Sequence, residues 1–132
     1  MILGLTLVAG CASSNNEQID LNSVEHLVQL KNPADQPYKS SRVYIDSVKR
    51  ISTNNQTGLL ISGTFPDACT NLERVTHQVR NDSLHIQFNA WRNPKLMCAQ
   101  VLTPFSYFYP ELSRDQLSTH SAVIINDSSY SF

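Results

Sequence analysis

The chain has 132 residues, 41% of them hydrophobic, with 10 basic and 11 acidic residues and a net charge of -1. That length suits one domain with a sizeable core, and neither sign of charge forms the run that nucleic-acid binding needs. With four glycines in all, the sequence holds no Gly-x-Ser-x-Gly elbow, phosphate-cradling glycine loop or paired His-Glu motif, so a catalytic role is not expected.

The apolar run Ile2 to Ala9 is far shorter than the roughly 20 residues that span a bilayer. It closes on Val8-Ala9-Gly10-Cys11, which resembles a bacterial lipoprotein cleavage box. The small pair Ala9-Gly10 lets the backbone enter a signal peptidase as an extended strand. The resemblance implies that residues 1–10 are removed as a signal peptide and that the Cys11 thiol and its new amino group carry acyl chains such as palmitate. No Lys or Arg lies within residues 1–10, so the natural start is expected upstream of Met1. Each buried lipid methylene contributes about 0.8 kcal/mol, enough for two or three chains to anchor the protein almost permanently. Ala12 stands where many inner-membrane lipoproteins have a retention aspartate, which places the expected anchor in the outer membrane.

Residues 11–18 are small and polar and read as a flexible tether. Residues 19–41 form a lead-in. Its first part reads either as a short helix capped at Asn22 or Ser23, with Val24, Leu27, Val28 and Leu30 on one side, or as a strand, and the helix is preferred. Asn32-Pro33 and Gln36-Pro37 end that segment and make 33–41 an extended loop.

From residue 42 onward the apolar period is two. Strands are expected over 42–52, 57–65, 72–80, 83–91, 97–102, 105–109, 121–125 and 129–132. Leu59, Ile61 and Phe65 share a face with Gly63 between them. Asn54-Asn55-Gln56, Asn81-Asp82 and Asn126-Asp127 read as turns rather than glycosylation sites, although Asn55-Gln56-Thr57, Asn81-Asp82-Ser83 and Asn126-Asp127-Ser128 match Asn-x-Ser/Thr. With Asn81-Asp82 as the turn, Val75, His77 and Val79 lie beside Leu84, Ile86 and Phe88, and the other face carries Thr76, Gln78, His85, Gln87 and Asn89. One buried and one polar face at this turn spacing predict a two-sheet antiparallel β-sandwich spanning 42–132.

With Cys11 lipidated, Cys69 and Cys98 remain as an even pair in an oxidising compartment and read as a disulfide. Neither lies in a Cys-x-x-Cys motif or has a histidine at ligand spacing, which disfavours a metal pair. Ser62-Gly63-Thr64-Phe65-Pro66-Asp67-Ala68-Cys69-Thr70, with Cys98 and then Pro104-Phe105, resembles a small secreted bacterial immunoglobulin-like domain. The resemblance covers roughly 43–132; Ser121 departs from its usual glycine and Asp127-Ser128 from its usual turn. It implies a mainly β immunoglobulin-like sandwich with a paired disulfide and no general catalytic activity.

Among candidate sites, His77 and His85 fall on opposite faces of their hairpin, and no third metal ligand recurs beside either. Asp67 follows Pro66, where a carboxylate commonly accepts from turn amides. The binding candidates are aromatic: Trp91 beside Arg92 on the polar side of its strand, and Tyr107, Phe108 and Tyr109, with Phe108 opposite its neighbours. The function expected is an envelope lipoprotein with a non-catalytic binding or accessory role. It would recognise an envelope protein through a sheet edge or an aromatic surface, with no cofactor, metal or nucleic acid. The alternative is a small periplasmic hydrolase or ligand carrier built on Asp67, His77 or His85.

Overall fold

The computed structural model describes residues 17–53 and 55–132. The expected signal peptide, Cys11, most of the tether and Asn54 of the first turn lie outside the described residues.

Alternating apolar side chains build two facing sheets. The first contains β1 (Glu17–Gln18), β3 (Tyr44–Thr53), β4 (Gln56–Phe65) and β7 (Thr103–Tyr109). The second contains β2 (Lys39–Ser41), β5 (Asn71–Arg80), β6 (Ser83–Arg92), β8 (Ala122–Ile125) and β9 (Ser128–Ser131). The chain is a mainly β two-sheet sandwich with little helix. It is not wholly antiparallel, because β1 runs parallel to β3 and β8 meets β6 in parallel at Ile124 and His85. The sheets also reach back past residue 42, since β1 and β2 are part of them.

The hairpin expected at Asn81-Asp82 forms in the expected register, with Val79 opposite Leu84, His77 opposite Ile86 and Val75 opposite Phe88. Asn81 and Asp82 have φ of 49° and 64°, and Asn126 and Asp127 have 52° and 64°. These are the left-handed values of a turn whose twist matches that of the strands, and Asn and Asp tolerate them. Val75, Leu84, Ile86 and Ala90 from the second sheet pack on Leu59, Ile61, Phe65 and Phe105 from the first. Gly63 lies opposite Phe105. A Cβ there would fall 2.9 Å from the Phe105 ring, so the glycine leaves room for that ring to stack on Phe65 with centroids 4.3 Å apart.

Two sequence expectations change, and one element is new. Residues 97–102 form no strand, because no neighbouring strand pairs with them, and they belong to the connection between β6 and β7. The lead-in holds one 3-10 turn, Leu21–Ser23, capped by the Asp20 carboxylate on Asn22 N–H, and is extended beyond it. The extension has a cause: Leu27 bridges to Ser106, while Val28 N–H donates to Ser106 O and Ser106 N–H to His26 O. Lys31 N–H then donates to Leu72 O, so the lead-in crosses from the edge of β7 to the edge of β5. Partnering two sheet edges satisfies more backbone groups than an isolated turn of helix would. The one α-helix among the described residues, α1 (Arg114–Thr119), lies between β7 and β8, where no element was expected. It opens on a capping box in which Ser113 and Gln116 bond reciprocally. Arg50 from β3 donates to the carbonyls of Leu117 and His120 at the far end of α1, where the helix dipole favours a cation.

The strand register separates the turns into two poles. At one pole, residues 66–70 link β4 to β5 and residues 93–102 link β6 to β7, and Lys39 of β2 lies opposite Arg92. At the other lie the β3–β4 and β5–β6 turns, and there β1 pairs Glu17 with Ile51 and Gln18 with Ser52. β1 is parallel to β3, so both run from the side of the 93–102 loop towards the other pole.

Candidate binding surface

Cys69 and Cys98 are joined in a disulfide with Cα atoms 5.7 Å apart, which ties the 93–102 loop to the β4–β5 connection. Beside it, Asp67 is buried and highly connected. Its Oδ1 accepts from Cys69 N–H and Thr70 Oγ1–H, both at 2.9 Å, and its Oδ2 accepts from Arg92 Nη1 at 3.0 Å. Thr70 Oγ1 also shares a hydrogen bond with Ser41 Oγ of β2 at 2.9 Å. Asp67 thus has the turn role expected of it, with a salt bridge that the sequence did not reveal. A carboxylate occupied on both oxygens has little capacity left for acid–base work.

From this base the loop projects four apolar side chains. Met97 is fully exposed, and Leu102, Val101 and Leu96 are exposed by 66%, 56% and 54%. The loop's local bonds run from Leu96 N–H to Asn93 O, from Lys95 N–H to Asn93 Oδ1, and from Ala68 N–H across to Ala99 O. Exposed Tyr38 directly precedes Lys39, and exposed Tyr44 lies opposite Thr64 near the same pole.

The aromatic residues expected to form a binding face are instead inside the fold. Trp91 is 2% exposed, and its indole N–H donates to Lys31 O at 2.7 Å. It does lie opposite Ala90 along β6, as alternation requires, but the lead-in covers that outer face. Arg92 is held on Asp67. Tyr109 is 1% exposed, its hydroxyl 2.5 Å from His77 Nδ1. Burial, reinforced by the nearby Glu111 carboxylate and by Tyr107, pushes that hydroxyl up to about 12. Burial, then Glu111, also raises Tyr107, whose ring meets Phe88 edge-on. Phe108 lies opposite these two, beside Gly58 and close to Leu21, Leu27 and Val28 of the lead-in.

His77 reaches across to Tyr109 of the facing sheet, while His85 Nδ1 lies 3.3 Å from Arg80 on the exposed side. The two imidazoles do not converge. No cluster of three or more metal-ligating side chains occurs among the described residues.

A family model described as the ORF11 beta-sandwich domain matches residues 59–132, more than half of the chain, from β4 through β9. The chain belongs to the ORF11 beta-sandwich family. No curated protein and no solved structure matches it. The matched span of the ORF11 domain contains both disulfide cysteines, Asp67, Arg92 and the whole apolar loop.

Burial alone would raise the Asp67 pKa. The hydrogen bonds from Cys69 N–H, Arg92 and Thr70, together with the Arg92 charge, outweigh it and hold the carboxyl below its ordinary value of 3.8. A carboxylate depressed on folding contributes stability that is complete above its unfolded value and is lost as pH falls through the folded one. Asp67→Asn is therefore expected to cost about 1–3 kcal/mol at neutral pH, because the buried carboxylate loses its charge-assisted bond with half-buried Arg92. The gap from the parent should narrow as pH falls below about 4. Urea midpoints of both proteins at neutral and acid pH measure this, and a pH-independent gap would contradict it.

The loop side chains were not chosen as binding residues from the sequence, because Met97, Val101 and Leu102 were assigned to a strand. Pro94 and the cysteine at 98 were the available signals of an irregular, fastened loop.

Proposed function

We propose that this ORF11 domain is an envelope lipoprotein, anchored in the outer membrane through acylated Cys11, with a non-catalytic binding or accessory role toward another envelope component. The observation that carries the binding part is the 93–102 loop. Soluble domains seldom expose four large aliphatic side chains together unless something covers them in use. The loop is fastened by a disulfide and the Asp67–Arg92 pair, so it is presented on a firm base and loses less freedom on binding. The interior positions of Trp91, Tyr107 and Tyr109 move the proposed contact from the aromatic side chains to this loop. β5, an edge strand of the second sheet, remains a second surface to which a partner strand could add.

The anchor is tested by metabolic palmitate labelling and fractionation of the parent and Cys11→Ser. Label at Cys11, and release of the variant from the membrane fraction, are expected; an unacylated parent would overturn the envelope reading. The binding role is tested by Met97→Asp and Leu102→Asp. Both should fold like the parent, since the side chains touch solvent, and both should lose co-purifying envelope material. Full retention by both would remove the loop from the proposal.

A further inference from the structure

We infer that the free edge of β5 takes an extended segment of another protein in which apolar and acidic residues alternate. The inference rests on the proposed binding role and names the partner of its second surface.

A strand paired on one side only leaves every second residue with its N–H and C=O unbonded. β5 pairs with β6, and along its other edge the described residues supply only Lys31 N–H, which donates to Leu72 O. The two-residue turn at Asn81-Asp82 makes Arg80 and Ser83 the closing hydrogen-bonded pair of the hairpin. Arg80, Gln78, Thr76 and Arg74 therefore bond towards β6, and Val75, His77 and Val79 direct their backbone groups at the open edge. The extra residue Glu73 reverses this parity, which is why Leu72 O also points outward, to Lys31. Beyond that bulge, residues 74–80 pair regularly and include no proline or glycine. β3 differs, because β1 pairs with it at Ile51 and Ser52, a register shift interrupts it between Ile45 and Ser47, and Ile45 O accepts from Tyr130. Donors and acceptors repeating every two residues, about 7 Å, match an extended polypeptide and no lipid surface.

The side chains beside this edge set the composition of the incoming strand. On the core side are Val75, His77 and Val79, and Val79 is 46% exposed because nothing lies beyond it. An apolar side chain from the partner would cover it. On the outer side Arg74, Thr76, Gln78 and Arg80 are all exposed. Arg74 and Arg80 are in no ion pair among the described residues, and Arg80 meets His85 Nδ1 at 3.3 Å. The carboxylates nearest in sequence, Glu73 in the bulge and Asp82 in the turn, pair with neither arginine. Asp or Glu on the outer side of the partner would lie across from them, the favourable cross-strand arrangement. The same charges disfavour a second copy. Antiparallel self-pairing over all of residues 74–80 is centred on His77 and sets Arg74 opposite Arg80 twice. Arginines on this edge thus repel copies of the chain and admit an acidic strand.

The test uses 15N-labelled full-length protein and synthetic eight-residue peptides with blocked ends. One peptide alternates Val and Glu, and a second alternates Val and Lys. Two further versions of the first are N-methylated at every valine or at every glutamate. The Val–Glu peptide at about 1 mM is expected to shift the amides of Val75, His77 and Val79 and protect them from exchange, leaving those of residues 95–102 unmoved. The Val–Lys peptide should bind about tenfold more weakly. Arg74→Glu combined with Arg80→Glu should reverse that order without changing the urea midpoint. At least one methylated version should lose binding, because an added strand donates from alternate residues. No shift at these amides, equal binding of the acidic and basic peptides, or binding that survives both methylations overturns the inference. A dimer seen by sedimentation and broken by Val79→Asp would assign the edge to a second copy and overturn it too. The loop is tested apart from the edge. If Met97→Asp and Leu102→Asp lose envelope material while the peptide leaves β5 unmoved, this inference fails and the proposed function stands. If the peptide binds β5 while both loop variants keep their material, the loop falls and the edge remains.

Discussion

Replacing Trp91 with alanine is expected to destabilise the fold by about 3–5 kcal/mol, the range for deleting a large buried aromatic side chain. Trp91 lies on β6 opposite Asn71 of β5 and Ser40 of β2, where three segments of the second sheet meet. Its indole holds the carbonyl of Lys31, and the amide of the same residue holds Leu72 O at 2.7 Å. The side chain therefore fastens the lead-in over a sheet face that would otherwise be open. Alanine removes the packed area and leaves the Lys31 carbonyl without its indole donor, and both losses act in the same direction. Trp91→Phe should keep most of the area and cost about 1–2 kcal/mol for the missing donor. Urea unfolding followed by circular dichroism measures both variants. An exposed binding anchor would behave differently, since surface substitutions usually stay within about 0.5 kcal/mol. The parent offers a second check, because Trp91 is the sole tryptophan. Its emission should be blue-shifted in the native state and move to the red on unfolding.

The same residue shows what the sequence could and could not convey. Period-two alternation placed Trp91 correctly on the side of β6 opposite Ala90. Which side meets water depends on residues 26–31, some sixty positions away, and local pattern carries no record of that contact. The Asn81-Asp82 hairpin was legible because the turn chemistry is local: two residues that tolerate positive φ fix the register of ten-residue strands on either side. Residues 97–102 misled for the complementary reason. Alternating apolar residues signal a strand only when a partner supplies hydrogen bonds, and no strand pairs there. The Ser113-x-x-Gln116 signature of α1 was present and local, and could have been read. The His77–Tyr109 and Asp67–Arg92 contacts join residues 32 and 25 positions apart, beyond the range of any short motif.

Removing the disulfide through Cys69→Ser combined with Cys98→Ser is expected to cost about 3–4 kcal/mol, from the entropy of a chain no longer closed over 29 residues. That is a large fraction of the about 5–15 kcal/mol by which domains are stable, and urea unfolding with and without reductant measures it. A second, local effect should accompany it. Among the described residues, the disulfide is the one covalent cross-link, beyond the chain's own backbone, between the 93–102 loop and the rest of the sandwich. Lys95 is exposed, so tryptic cleavage after it should accelerate in the double variant at temperatures well below global unfolding. If cleavage instead tracks the fraction of unfolded protein, the loop is held by its hydrogen bonds and the disulfide acts only on the unfolded chain. The distinction matters for the proposed contact. A loop ordered before it meets a partner has already lost its conformational freedom, whereas a loosened loop must lose it on binding, at about 0.5–1.5 kcal/mol for each side chain immobilised. The double variant should therefore lose binding at temperatures where its fold is intact, while Asp67→Asn, which leaves the covalent tie in place, should retain most of it.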